Sequence, residues 1–211
     1  MTRLLTYGAR QVSRWWLLEA NGYSWAMTTI VAVQYKDKVV IGADSLVTAS
    51  RKYNHPAMVK ISERNGFIIA GAGEVAACDI AQHIWNPPTP TAEDKKDLYH
   101  FMIAKVMPSL KKAFKDNDYK WDREDDEETK FAFLIAVDGE VFDIADDFAV
   151  CLDSSGFYGI GSGSSIAIGA LRTGATIEDA LKTAEAVDPY TGSPFIFHTQ
   201  NKKKVASSRN K

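Results

Sequence analysis

Six positions in the 211-residue chain carry polar groups, or force turns, in places where a merely structural role is hard to supply for all of them at once. Thr28 opens a β-branched run directly after Met27. Asp44 lies 16 residues on, where the next apolar run ends. Lys60 lies 32 residues after Thr28, inside the apolar stretch Met58-Val59-Lys60-Ile61. An ammonium on an apolar strand is costly to bury unless a carboxylate pairs with it. Gly73 stands at a strand-to-helix junction, Ser162 within the turn Gly161-Ser162-Gly163, and Asp188 in the turn that follows the last helix. Singly, each has an ordinary reading: a lysine snorkelling from an edge strand, a turn-forming aspartate, a serine capping a helix. Jointly, they offer hydroxyls, carboxylates and one ammonium at regular element boundaries, and separate surface roles do not account for that.

The elements around them follow from periodicity and turn chemistry. Thr28–Tyr35 reads as a strand, Lys36-Asp37-Lys38 as a turn, and Val39–Ala43 as the antiparallel partner. Met58–Ile61 and Phe67–Ala70 form a second hairpin about Asn65-Gly66, a dipeptide whose members both accept positive φ. Val75–Trp85 is apolar-periodic and helical, and Asn86-Pro87-Pro88-Thr89-Pro90 breaks it. Thr91 and Asp94 form a capping box for a second helix, whose stripe runs through Leu98, Phe101, Met102, Val106, Leu110 and Phe114, with Pro108 as a kink. Residues 116–129 form an acidic loop without the glycine and ligand periodicity of a calcium loop. Phe131–Val137 and Val141–Ala145 make a third hairpin about Asp138-Gly139. A helix opens at Gly161–Ser165 and ends near Gly174, another runs from the Thr176/Asp179 cap to about Val187, and Ser193–Thr199 is the last strand. Strand pairs alternate with helix pairs, which argues against βαβ units. The expected fold is α+β: two antiparallel sheets face to face, covered by helix pairs.

Composition narrows the function. With 45% apolar and 25% charged residues, the chain is an ordinary globular one. No apolar run reaches the length of a membrane span. A net charge of −2 makes no case for nucleic acid. Two cysteines, Cys78 and Cys151, make no disulfide framework and suit a reducing compartment such as the cytoplasm. Residues 1–27 differ from the rest. Arg3, Arg10 and Arg14 against Glu19 give them +2, so the other 184 residues carry −4, and they hold Trp15, Trp16 and Trp25 of the five tryptophans. Their longest apolar run, Trp15-Trp16-Leu17-Leu18, is too short for a signal peptide.

The chain resembles the proteasome β-subunit family. The resemblance rests on Thr28-Thr29-Ile30-Val31, Gly42-Ala43-Asp44, Lys60, Ala70-Gly71-Ala72-Gly73, Ile160-Gly161-Ser162-Gly163 and Asp188-Pro189-Tyr190-Thr191-Gly192, in that order over residues 28–199. The opening is most similar to the bacterial HslV branch. The resemblance implies an N-terminal-nucleophile hydrolase, a four-layer αββα sandwich with Thr28 as nucleophile. Asp44 and Lys60 would be its charged partners, Gly73 the oxyanion donor, and Ser162 and Asp188 the support of the amine end. It also implies peptide or unfolded-protein substrates, a homo-oligomeric ring, an AAA+ ATPase as the one user of ATP, and no metal or bound cofactor. Met58, two residues before Lys60 on the same strand face, is the expected pocket residue.

A threonine hydroxyl is a weak nucleophile without a base, and a free α-amine, with a pKa of about 7.7–8.0, can serve as one. Thr28 must therefore become residue one. Either translation starts at Met27 and the methionine is trimmed, the preferred reading, or residues 1–27 are a propeptide. Met27 stands where the proteasome pattern has glycine. The tail, residues 200–211, is basic, unlike the acidic end of HslV chains. Two alternatives stand beside this: a non-catalytic assembly subunit, which predicts loss of Lys60 or Asp44 although both are present, and an N-terminal-nucleophile amidase acting on small amides, which the same active-site residues would serve. Gly159–Gly163 lacks the spacing of a nucleotide loop, and no Gly-x-Ser-x-Gly elbow supports a Ser-His-Asp hydrolase.

Overall fold

A computed structural model of the chain describes residues 28–48, 52–53, 58–121 and 131–202. The expectations for the leader 1–27, for most of the acidic loop and for all but the start of the tail fall outside them.

Two antiparallel sheets form the centre. Strands β1 (Ile30–Gln34), β2 (Lys38–Ala43), β10 (Phe157–Ile160) and β11 (Ile196–Asn201) make one, in the order β10-β1-β2-β11. Strands β5 (Ile61–Arg64), β6 (Phe67–Gly73), β7 (Phe131–Val137), β8 (Glu140–Ile144) and β9 (Val150–Cys151) make the other, in sequence order. A two-residue hairpin, β3 (Val47–Thr48) with β4 (Lys52–Tyr53), stands apart.

Strand side chains alternate in direction, and here both directions are buried. On β6 and β7, Phe67, Ile69, Phe133 and Ile135 face the first helix pair, while Ile68, Ala70, Leu134 and Ala136 face the other sheet. On β1, Ile30 and Ala32 face between the sheets, and Val31 and Val33 face the second helix pair. Three hydrophobic cores therefore separate four layers. The first helical layer comprises α1 (Val75–Asp79), α2 (Leu98–Phe101) and α3 (Met107–Asp116). The other comprises α4 (Ser164–Arg172) and α5 (Ile177–Val187). This is the expected four-layer αββα arrangement.

The first two hairpins begin different sheets, since β2 pairs with β1 and β11 whereas β5 pairs with β6. Several local expectations are corrected. Strands β9 and β10 were not foreseen. Phe157-Tyr158-Gly159-Ile160 lies between Gly156 and Gly161 and reads as part of a glycine-rich turn, yet it pairs with β1 along four residues. The Thr91/Asp94 capping box exists, but it closes a short 3-10 turn, Asp94–Lys96. The cap of α2 is Asp97, whose carboxylate accepts from the His100 N–H. Pro108, the expected kink, falls in the first turn of α3. A π turn over Met102–Val106 precedes it and accommodates the missing N–H. The last strand runs two residues further than expected.

Two glutamines tie the sheets together. Gln200 on β11 accepts from the Gly139 N–H and donates to the Gly66 carbonyl, holding the turns of both hairpins of the second sheet. Gln34 on β1 accepts from the Val141 N–H.

Candidate active site

The site lies at one end of the sheets, where β1 begins and β2 ends. Thr28 precedes β1 by two residues, and Asp44 follows β2 directly. The β1–β2 register, Ile30 opposite Ala43, brings the two together. The Thr28 hydroxyl donates to Asp44 Oδ1 at 2.8 Å, and the Thr29 N–H donates to the same oxygen at 2.8 Å. Asp44 Oδ2 accepts from the N–H groups of Leu46 and Gly192, each at 3.1 Å. The carboxylate is 1% exposed, and both oxygens are saturated.

Lys60 reaches this carboxylate from the second sheet. It does not sit inside a strand: β5 begins at Ile61, and Lys60 occupies the bend before it. Its ammonium donates to Asp44 Oδ1 at 2.6 Å, to the Leu46 carbonyl at 2.7 Å and to the Thr28 hydroxyl oxygen. Burial lowers the Lys60 pKa below its ordinary value, and the Asp44 charge and hydrogen bond act against that shift. All three ammonium donors are occupied. A lysine placed this way carries its charge toward the Thr28 oxygen, which favours the alkoxide over the hydroxyl.

A second polar group adjoins the backbone of Thr28. Ser162 donates to Asp188 Oδ2 at 2.8 Å and stands 3.4 Å from the Thr28 carbonyl. Thr191 donates to the same Asp188 oxygen at 2.6 Å, and Asp188 Oδ1 accepts from the Tyr190 N–H at 3.2 Å. Since Thr191 spends its single proton on Asp188, the 2.5 Å contact between the Thr29 and Thr191 hydroxyls is a donation from Thr29. The Ser162 proton is also directed at Asp188, which leaves the Ser162 lone pairs open to a donor from Thr28. The flanking glycines fit this closeness. Gly161 has φ +90°, and a Cβ there would collide with the Thr28 carbonyl, while one at Gly163 would collide with the Thr29 hydroxyl.

Gly73 closes β6 with φ +107°, a conformation suited to glycine, immediately before α1. Cys78 on α1 is half-buried nearby. Burial pushes its thiol up to about 12, which favours the thiol over the nucleophilic thiolate.

Thr28, Asp44 and Lys60 are in direct contact, and Ser162 and Asp188 adjoin them. Met58 is different. It precedes the strand, is 42% exposed and shares no strand face with Lys60. The sequence reading passed over Thr191, although it lies three residues after Asp188 within the quoted turn. It also passed over the Leu46 carbonyl, a backbone group that leaves no mark in residue type.

No family model and no curated protein matches the sequence, but solved structures do match the fold. BPH, the bacterial proteasome homologue of Thiobacillus denitrificans, superposes with a TM-score of 0.62 at 22% identity, over 84% of this chain and 100% of that one. The same protein in complex with epoxomicin gives 0.65 at 19% identity, over 83% and 100%. Eukaryotic HslV from Trypanosoma brucei gives 0.57 at 20% identity, over 82% and 98%. The fold is proteasome-like. Within it, the Thr28–Asp44–Lys60 cluster lies where the first strand of the proteasome-like core begins, so the architecture and the polar cluster bear on the same end of the molecule.

Proposed function

We propose that the chain is a threonine endopeptidase that uses Thr28 as its N-terminal nucleophile. The observation that carries this reading is the three-way contact of the Thr28 hydroxyl, the Asp44 carboxylate and the Lys60 ammonium in a buried site. In the 211-residue chain the Thr28 nitrogen is bonded to Met27 and is an amide. Removal of the preceding residues makes it an amine, which can take up the hydroxyl proton directly or through water. The freed oxygen attacks the peptide carbonyl, and the Lys60 charge favours it throughout. The Gly73 N–H would face the developing oxyanion, a donor of a kind whose loss costs about 3–4 kcal/mol. The ammonium at the Thr28 terminus then gives its proton to the leaving amine. An ester remains on Thr28, and water hydrolyses it with the same amine as base.

Every role in this sequence falls to groups of the chain itself, so no cofactor enters it. Substrates are peptides or unfolded proteins. A homo-oligomeric ring and a partner AAA+ ATPase, the one user of ATP, belong to the same reading, as does a cytoplasmic setting. Among the described residues no helix is long and apolar enough to cross a membrane.

The test is turnover of a fluorogenic peptidyl-aminocoumarin by wild-type protein and by Thr28→Ala. The variant should lose several orders of magnitude in kcat, and epoxomicin should block the wild type. Undiminished turnover by Thr28→Ala would remove the mechanism.

A further inference from the structure

Lys60 is held by its ammonium at one end, but its backbone has little to fix it. It stands before the first paired residue of β5, and the residues on its other side, Met58 and Val59, are about two-fifths exposed. What fixes the main chain here is the Lys60 carbonyl. It accepts from the Gly71 N–H at 3.1 Å and from the side-chain amide of Gln82 at 2.7 Å. Gln82 is 3% exposed, and the same amide nitrogen lies 3.4 Å from the Ile69 carbonyl, so it spans β5 and β6 from the helix side. Its own backbone carbonyl accepts from Ser62 on β5 at 3.2 Å.

An ordinary α-helical stripe would not present this glutamine. On the first helix the inward residues are Ala77, Ile80, Ala81, Gln82 and Trp85. Three consecutive inward positions exceed what a 3.6-residue turn directs to one face. The segment Ile80–Ile84 is a π turn, closed by the Trp85 N–H donating to the Ile80 carbonyl at 2.7 Å. The extra residue in this turn places Gln82 inward alongside Ile80 and Ala81. Turns of this kind recur at functional sites, and the residue this one delivers is a polar amide bound to the backbone of the lysine.

We propose that Gln82 is a positioning residue of the peptidase: the π turn presents its amide to the Lys60 carbonyl and so sets the distance of the Lys60 ammonium from Thr28 and Asp44. The inference rests on the peptidase reading for its effect on turnover, but the placement of Lys60 can be read without it. Gln82 touches no reacting atom and acts through Lys60.

The experiment uses protein trimmed to begin at Thr28 and carrying Gln82→Met, which removes the amide at similar volume, or Gln82→Asn, which keeps an amide one methylene too short to reach. Two readings are taken. With the peptidyl-aminocoumarin, kcat should fall about 10- to 100-fold in both variants, the scale of an ångström-level misplacement, while KM stays level and thermal melting confirms the fold. With acetic anhydride, read by peptide mass, the Lys60 amine should be acetylated several-fold faster than in wild type while the exposed lysines keep their rates. Lys60 acetylation at the wild-type rate in the variant that folds overturns the proposal, as does a kcat loss that only follows the loss of folded protein. If wild-type protein trimmed to begin at Thr28 shows no turnover but Lys60 labelling rises in the variants, the peptidase reading fails and the positioning role stands.

Discussion

Asp44 and Asp188 are two buried carboxylates on either side of Thr28, and they are held in opposite ways. Asp44 takes a cation, a hydroxyl and three backbone N–H groups: Lys60, Thr28, and the amides of Thr29, Leu46 and Gly192. Asp188 takes two hydroxyls and one N–H, from Ser162, Thr191 and Tyr190, and among the described residues it forms no ion pair. A buried carboxylate with a complete set of partners is a finished structural unit. Asp188 has no such cation, and through Ser162 it adjoins the backbone of the residue whose nitrogen becomes cationic when the preceding chain is removed. The comparison thus separates a half of the site that exists in the 211-residue chain from a half that processing would complete.

Breaking the finished half should have the largest effect. Lys60→Met leaves Asp44 buried without its cation, and removal of one partner of such a pair costs about 3–5 kcal/mol. Urea unfolding should report a loss of that order, with peptide hydrolysis near background. A variant as stable as wild type would show that Asp44 is satisfied by its N–H donors alone.

The other half should break more gently. In Asp188→Asn the side chain keeps an oxygen for Ser162 and Thr191, so stability should fall by only about 1–2 kcal/mol. Turnover should fall about 10- to 100-fold, because the charge that would hold the Thr28 ammonium is gone. Equal stability losses for Asp188→Asn and Lys60→Met would erase the distinction between the two carboxylates.

The smallest effect sharpens the comparison through pH. Burial holds the folded-state pKa of Lys60 below that of the unfolded chain. Between those two values the unfolded chain binds more protons, so this lysine makes stability rise with pH. The catalytic cation is lost over the same interval, so hydrolysis should fall as pH rises. Activity and this contribution to stability should therefore move in opposite directions on the alkaline side, below the usual lysine range. The stability slope should vanish in the Lys60→Met background, as read by unfolding midpoints across pH. A slope that persists there belongs to other groups.

Much of this arrangement was legible in the chain, for reasons that differ by element. Asn65-Gly66 and Asp138-Gly139 marked their hairpins because residues 65, 66, 138 and 139 all adopt positive φ. Helix α5 was legible from the Thr176 cap, whose hydroxyl accepts from the Asp179 N–H. β10 was not, because four residues between glycines carry too little pattern and owe their strand to pairing with β1. Asp44 and Lys60 could be suspected because charge in an apolar context needs a partner. Thr191 and Gln82 could not be, since a threonine in a turn and a glutamine on a helix are commonplace. Their roles come from a sharp turn and a π turn that only the folded chain displays. The pocket expectation for Met58 failed in its premise because β5 begins three residues later than the apolar run suggests.

The most direct test of the central claim is the intact mass of the species that hydrolyses peptide, with its first residue sequenced. The account predicts that the active chain begins at Thr28 and that protein still carrying Met27 is inactive until it is trimmed. A chain retaining residues before Thr28 and turning over peptide at the full rate would contradict it.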